Sequence, residues 1–116
     1  MSFYYAVSLI RHMFEEKVRY VVERIVRGCD PKAIIVFGSV AKGTATEDSD
    51  IDLMVILDTD LSYFERTLAV RRAVGVTSIP IDVLAFTPAE VEDGKLRRGS
   101  VISEALRTGR VVYGTA

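Results

Sequence analysis

The sequence predicts a single α/β domain in which a small sheet is flanked by helices. Three observations carry this. The first quarter of the chain places apolar residues at helical spacing. Three short apolar runs follow, rich in β-branched residues. Helix-start and helix-stop signals separate those runs, so helices and strands alternate.

The first element is a helix from about Ser2 to Gly28. Val7, Ile10, Phe14, Val18, Val21, Val22 and Ile25 recur at spacings of three and four, which gathers them on one face. Arg11, Glu15, Lys17, Arg19, Glu23, Arg24 and Arg27 fill the other. Gly28 is the expected stop, with Pro31 shortly after.

Ala33 to Phe37 is continuously apolar and suits a buried strand that Gly38 ends. Ser39 to Lys42 starts a brief helix, stopped by Gly43, and Thr44 to Ser49 is a polar loop. Asp50 to Leu57 is the second strand. Asp60 or Ser62 caps a helix from about Tyr63 to Val74, ended by Gly75. Pro80 to Phe86 is the third strand. Thr87-Pro88-Ala89-Glu90 then joins a threonine cap, a first-turn proline and a glutamate three residues on. The helix it starts runs to about Leu96. A last helix covers Val101 to Arg107, and Arg110 to Tyr113 is a terminal strand. Strand directions cannot be read from this pattern.

The 116 residues fit one domain, 1–116, large enough to bury a core without staples. The chain is 49% hydrophobic and 27% charged, which excludes a disordered or fibrous class. A net charge of −1 does not favour electrostatic binding to nucleic acid. Cys29 is the only cysteine, so no internal disulfide forms, in keeping with a reducing cytoplasm. The apolar start, Met1 to Ile10, lacks the basic region and cleavage site of a signal peptide and is too short to span a bilayer. A cytoplasmic protein with no membrane contact is expected.

Asp50 and Asp52 stand two apart at the start of the second strand, so their side chains share a face. Asp82 holds the corresponding place in the third strand. If those strands are neighbours, three carboxylates meet. Clustered anions raise one another's pKa, and divalent cations relieve that cost. Mg²⁺ prefers carboxylate oxygens together with substrate phosphates. Two such ions activate an attacking oxygen and stabilise a leaving pyrophosphate. Gly38-Ser39 leaves the first strand for a short helix, where backbone N–H groups bind anions. A phosphate turn on one strand end and metal carboxylates on the next define a nucleoside triphosphate site. A lone Asp-x-Asp usually solvates a loop, and a lone Gly-Ser is a turn; the conjunction is what argues for chemistry. The alternative for Asp82 is a salt bridge to an arginine, since a charge inside an apolar strand is costly alone.

Gly38-Ser39-Val40-Ala41-Lys42-Gly43 and Ser49-Asp50-Ile51-Asp52-Leu53, with ten residues between Ser39 and Asp50, resemble the signature of the polymerase-β-like nucleotidyltransferase superfamily. The match is closest to its minimal nucleotidyltransferase (MNT) domain proteins, and the C-terminal residues 100–113 resemble theirs too. The resemblance implies a mixed sheet flanked by helices and two Mg²⁺ ions. It implies Asp50 and Asp52 as metal ligands, with Asp82 as third carboxylate, ligand and general base. Gly38 and Ser39 would hold the triphosphate of ATP. Lys42 either touches that triphosphate or is simply solvated.

MNT proteins are typically paired with a HEPN-domain toxin. The resemblance therefore implies an antitoxin that transfers AMP from ATP to a toxin hydroxyl, a tyrosine in similar systems. Two alternatives stay open: an antitoxin that only occludes the toxin, and transfer to a small molecule such as an aminoglycoside. Larger relatives carry a second domain for the acceptor; here a partner is expected to bring it, in a hetero- or homo-oligomer. Arg71, Arg72, Arg97 and Arg98 contact nucleotide or partner, or form exposed helix faces. Glu47 and Asp48 are expected in solvent, and His12 at or near the surface. Phe3, Tyr4 and Tyr5 are a partner surface or core packing.

Overall fold

A computed structural model describes residues 2–115, with Phe3 described in its backbone alone. Helix α1 (Phe3–Cys29) opens with the Ser2 hydroxyl accepting from the Tyr5 N–H at 3.2 Å. Its apolar stripe, Phe14 to Ile25, is buried as the spacing requires. The helix runs through Gly28 and stops one residue later than expected. Asp30 takes the left-handed conformation, and its N–H donates to the Val26 carbonyl. Gly28 serves packing instead, since a Cβ there would lie 2.8 Å from the Ala73 Cβ. Its missing side chain lets α1 pack closely on α3 (Tyr63–Val74).

Strands β1 (Ala33–Phe37), β2 (Ile51–Ile56), β3 (Ile81–Phe86) and β4 (Arg110–Gly114) form one sheet in the order β3-β2-β1-β4. β1 pairs antiparallel with β2 and β4, and β2 pairs parallel with β3. The sheet is mixed. α2 (Gly38–Lys42) and a polar loop connect β1 to β2, while α3 makes the crossover that parallel pairing demands. Helices α4 (Pro88–Lys95) and α5 (Val101–Thr108) precede β4.

Strand alternation splits the core into two layers. Ile34, Val36, Ile51, Leu53, Val55 and Val83 pack with α1 and α3. Ala33, Ile35, Met54 and Ile56 pack with α4 and α5. The predicted caps form: Ser62 and Thr87 each make a capping box, with Glu65 and Glu90. Two arginines of α3 bind the outer edge strand β3. Arg66 Nε donates to the Ala85 carbonyl at 3.0 Å, and Arg71 Nη1 to the Ile81 carbonyl at 3.2 Å. Arg66 is the one charged residue buried among the described residues, and Glu90 pairs with it at 2.8 Å. Among the described residues, no helix is long and apolar enough to cross a membrane.

Candidate active site at the β1–β2–β3 rim

The turn after β1 is set by Gly38, whose φ is +73°. That conformation disfavours any residue with a Cβ. Space forbids one as well, because a Cβ on Gly38 would overlap the carboxylate of Asp52 and come within 3.2 Å of its Cγ. The backbone of the turn therefore touches the acid directly. Ser39 follows in the first turn of α2, half-buried. The N–H groups of this turn have no partner within the helix. Gly43, at φ +74°, closes α2.

Asp52 occupies the centre of the arrangement. It stands opposite Phe37 in the β1–β2 ladder and opposite Asp82 in the β2–β3 ladder. Asp50 lies just before β2 rather than within it and is exposed. Asp52 is half-buried and Asp82 exposed. By alternation Asp52 and Asp82 project from the same face as Met54, the α4–α5 side.

The Asp52 carboxyl is held above the usual carboxylate range. Burial is the main cause, followed by the negative charges of Asp82 and Asp50 and by a hydrogen bond with the Asp82 carboxyl. None of the three acids ion-pairs with a lysine, arginine or histidine among the described residues. The salt bridge that was the alternative for Asp82 does not form. The protein thus leaves their charge unbalanced, and they are hard oxygen donors of the kind Mg²⁺ takes. As the side chains lie, no three His, Cys, Asp or Glu among the described residues surround one ion position. The acids line a rim, and oxygens from outside the chain would have to complete a coordination shell. With that completion, the donor set fits a divalent metal.

The remaining candidates separate. Lys42 is exposed at the far end of α2 and borders a depression between α1 and α2, on the sheet face opposite the carboxylates. Arg97 pairs with Asp93 at 3.1 Å on the surface. Arg71, expected on an exposed face, instead holds the carbonyl next to Asp82. Nothing in its Arg-Arg context signalled that contact, which depends on where α3 lies. His12 is exposed and sits 3.4 Å from Glu16. Tyr4 and Tyr5 are exposed; the side chain of Phe3 lies outside the described residues.

Residues 15–112 match the nucleotidyltransferase domain family. The chain belongs to this family. Within a curated relative from Methanocaldococcus jannaschii, named as a proposed protein adenylyltransferase, 32 residues are 53% identical. They cover 28% of this chain and 32% of that protein, so the match spans about a third of the relative's length. A crystal structure of a proposed nucleotidyltransferase from Sulfolobus solfataricus superposes with a TM-score of 0.68 at 15% identity, over 94% of this chain and 87% of that one. A toxin–antitoxin structure with AMP-PNP gives 0.56 at 23% identity, covering 82% and 72%. A mutant of the toxin–antitoxin MntA-HpeT gives 0.54 at 21%, covering 81% and 71%. At such identities the three structures show that this nucleotidyltransferase shares their fold.

Proposed function

We propose that this nucleotidyltransferase is an antitoxin that transfers AMP from ATP to a hydroxyl, a tyrosine's, on a HEPN-domain toxin in the cytoplasm. The observation that carries the reading is the placement of Asp52, wedged between the phosphate turn at Gly38 and the acid Asp82. A triphosphate seated on that turn puts its reacting phosphorus beside the acids. The toxin–antitoxin structures of the same fold, one with AMP-PNP, support the nucleotide and the partner.

Asp50, Asp52 and Asp82 would hold two Mg²⁺ ions, with substrate phosphate oxygens completing the shell. When bound, the ions neutralise charge on the transferred phosphate and on the leaving pyrophosphate. Gly38 and Ser39 orient the triphosphate through backbone N–H groups and the Ser39 hydroxyl. Lys42, at the far end of the same short helix and on the other face of the sheet, stays outside this triphosphate site. Asp82 accepts the proton of the acceptor hydroxyl. The acceptor oxygen bonds to the α-phosphorus, and the bond to the bridging oxygen breaks. Pyrophosphate leaves with that electron pair. The exposed rim suits an acceptor brought by another protein.

The test is incubation with a HEPN-domain toxin, ATP and Mg²⁺, followed by intact mass. The wild type should add the mass of AMP to the toxin, and Asp50→Asn with Asp52→Asn should add none. A toxin still modified by the double variant would sink the mechanism. A toxin neutralised without any added mass would establish occlusion instead.

A further inference from the structure

A second feature lies on the sheet face opposite the carboxylates. The N-terminal half of α1 and the helix α2 enclose a depression of about 250 Å³. Val7, Ile10, Phe14, Val40 and Ala45 form apolar walls. The transfer chemistry uses none of them.

The rim is cationic. Arg11, Lys42 and Arg110 border the cavity together with Glu15. Glu15 neutralises Arg110 at 2.6 Å. Arg11 and Lys42 make no ion pair among the described residues. Two unbalanced positive charges therefore flank an apolar hole in a chain whose net charge is −1. Such a pair attracts an anionic group and orients it at the mouth.

Size and rim charge select the occupant. Cofactor and drug sites run to roughly 300–1,000 Å³, and this cavity falls below that range. It matches one bulky side chain, the kind of anchor that dominates protein interfaces.

We infer that this cavity is a docking point for a partner protein segment that inserts an apolar anchor, phenylalanine or leucine, flanked by aspartate or glutamate. The segment binds behind the sheet, so the carboxylate rim on the other face stays open while it is bound. Docking here does not depend on the transfer reaction.

The experiment uses the full isotope-labelled chain, amide NMR and three probes: the peptide acetyl-Glu-Leu-Phe-Asp-Glu-amide, its lysine-for-acid counterpart, and phenylacetate. The acidic peptide should shift amides in residues 7–14 and 40–45. Arg11→Glu with Lys42→Glu should weaken it at least about tenfold, and the lysine peptide should bind the wild type at least about tenfold more weakly. Ala45→Phe, which fills the cavity, should abolish binding; the two surface variants serve if that one fails to fold. No shifts in those segments at about 5 mM acidic peptide would overturn the proposal. So would equal binding of the two peptides. Phenylacetate binding as tightly as the acidic peptide would reassign the cavity to a small anion and overturn a protein occupant.

Discussion

Asp52 and Asp82 face each other across the parallel ladder of β2 and β3, in hydrogen-bonding reach, with the backbone of Gly38 against the other side of Asp52. Burial first, then the charges of Asp82 and Asp50 and this contact, raise the pKa of Asp52, and the sign of the effect on stability follows. A raised carboxyl pKa means the folded state favours the protonated acid more than the unfolded state does. Stability from this group is full below the unfolded pKa and is lost as pH rises through the folded one. Asp52→Asn should therefore raise the melting temperature at pH 7 in chelator. Solvent screening keeps the gain small. The gain should vanish near pH 3. Thermal unfolding at both pH values checks this, and a variant less stable at pH 7 would contradict it.

Metal should reverse the ranking. Excess Mg²⁺ stabilises whichever form binds it. With ATP present, added Mg²⁺ should raise the melting temperature of the wild type and leave Asp50→Asn/Asp52→Asn unmoved. An equal rise in both would remove the acids from the metal site.

Gly38→Ala meets two obstacles, the left-handed backbone at φ +73° and the overlap with Asp52. The backbone alone costs about 1–2 kcal/mol. Because the new methyl displaces the Asp52 carboxylate, transfer should fall about a hundredfold. Intact-mass kinetics and urea unfolding measure the two losses separately.

Gly28→Ala sets two magnitudes against each other. Alanine in a helix interior gains about 1 kcal/mol over glycine. Its Cβ would lie 2.8 Å from the Ala73 Cβ, where neither side chain can swing aside. Overpacking of that kind costs about 1–3 kcal/mol, so the variant should be neutral to destabilised rather than stabilised. Urea unfolding decides.

Arg66→Ala should be among the most damaging single changes. It strands the Ala85 carbonyl and removes the partner of Glu90, whose carboxyl is held below the usual range through the Thr87 backbone N–H and then Arg66. Removing one member of a buried pair costs about 3–5 kcal/mol, less here because Glu90 reaches solvent. The Glu90 contribution is present above the unfolded carboxyl pKa and lost as pH falls through the lowered one. The stability gap between wild type and Arg66→Ala should therefore narrow on acidification below pH 4.

Much of the fold was legible because local signals decide it. The period of α1, the capping residues Ser62 and Thr87, and the apolar runs of β1, β2 and β3 act over a few neighbours. Asp82 was legible for a less direct reason: an acid in an apolar strand demands an explanation, and its counterpart Asp52 stood at the same depth in the preceding strand. What escaped the sequence depends on relations between elements. Strand direction leaves no mark in an apolar run buried on both faces. Gly28 resembles a helix stop until α3 lies against it. Arg66 carries no signal of its own, and Arg71 looks like part of an exposed helix face, until the edge of β3 comes within reach.

The same two arginines have a consequence for how the sheet ends. β3 is an outermost strand, and a bare outer strand invites another chain to extend the ladder. Arg66 and Arg71 already occupy its outward carbonyls at Ala85 and Ile81. Strand-by-strand growth into fibrils is thus obstructed on the flank that carries Asp82, and β4 is left as the edge from which such growth would start.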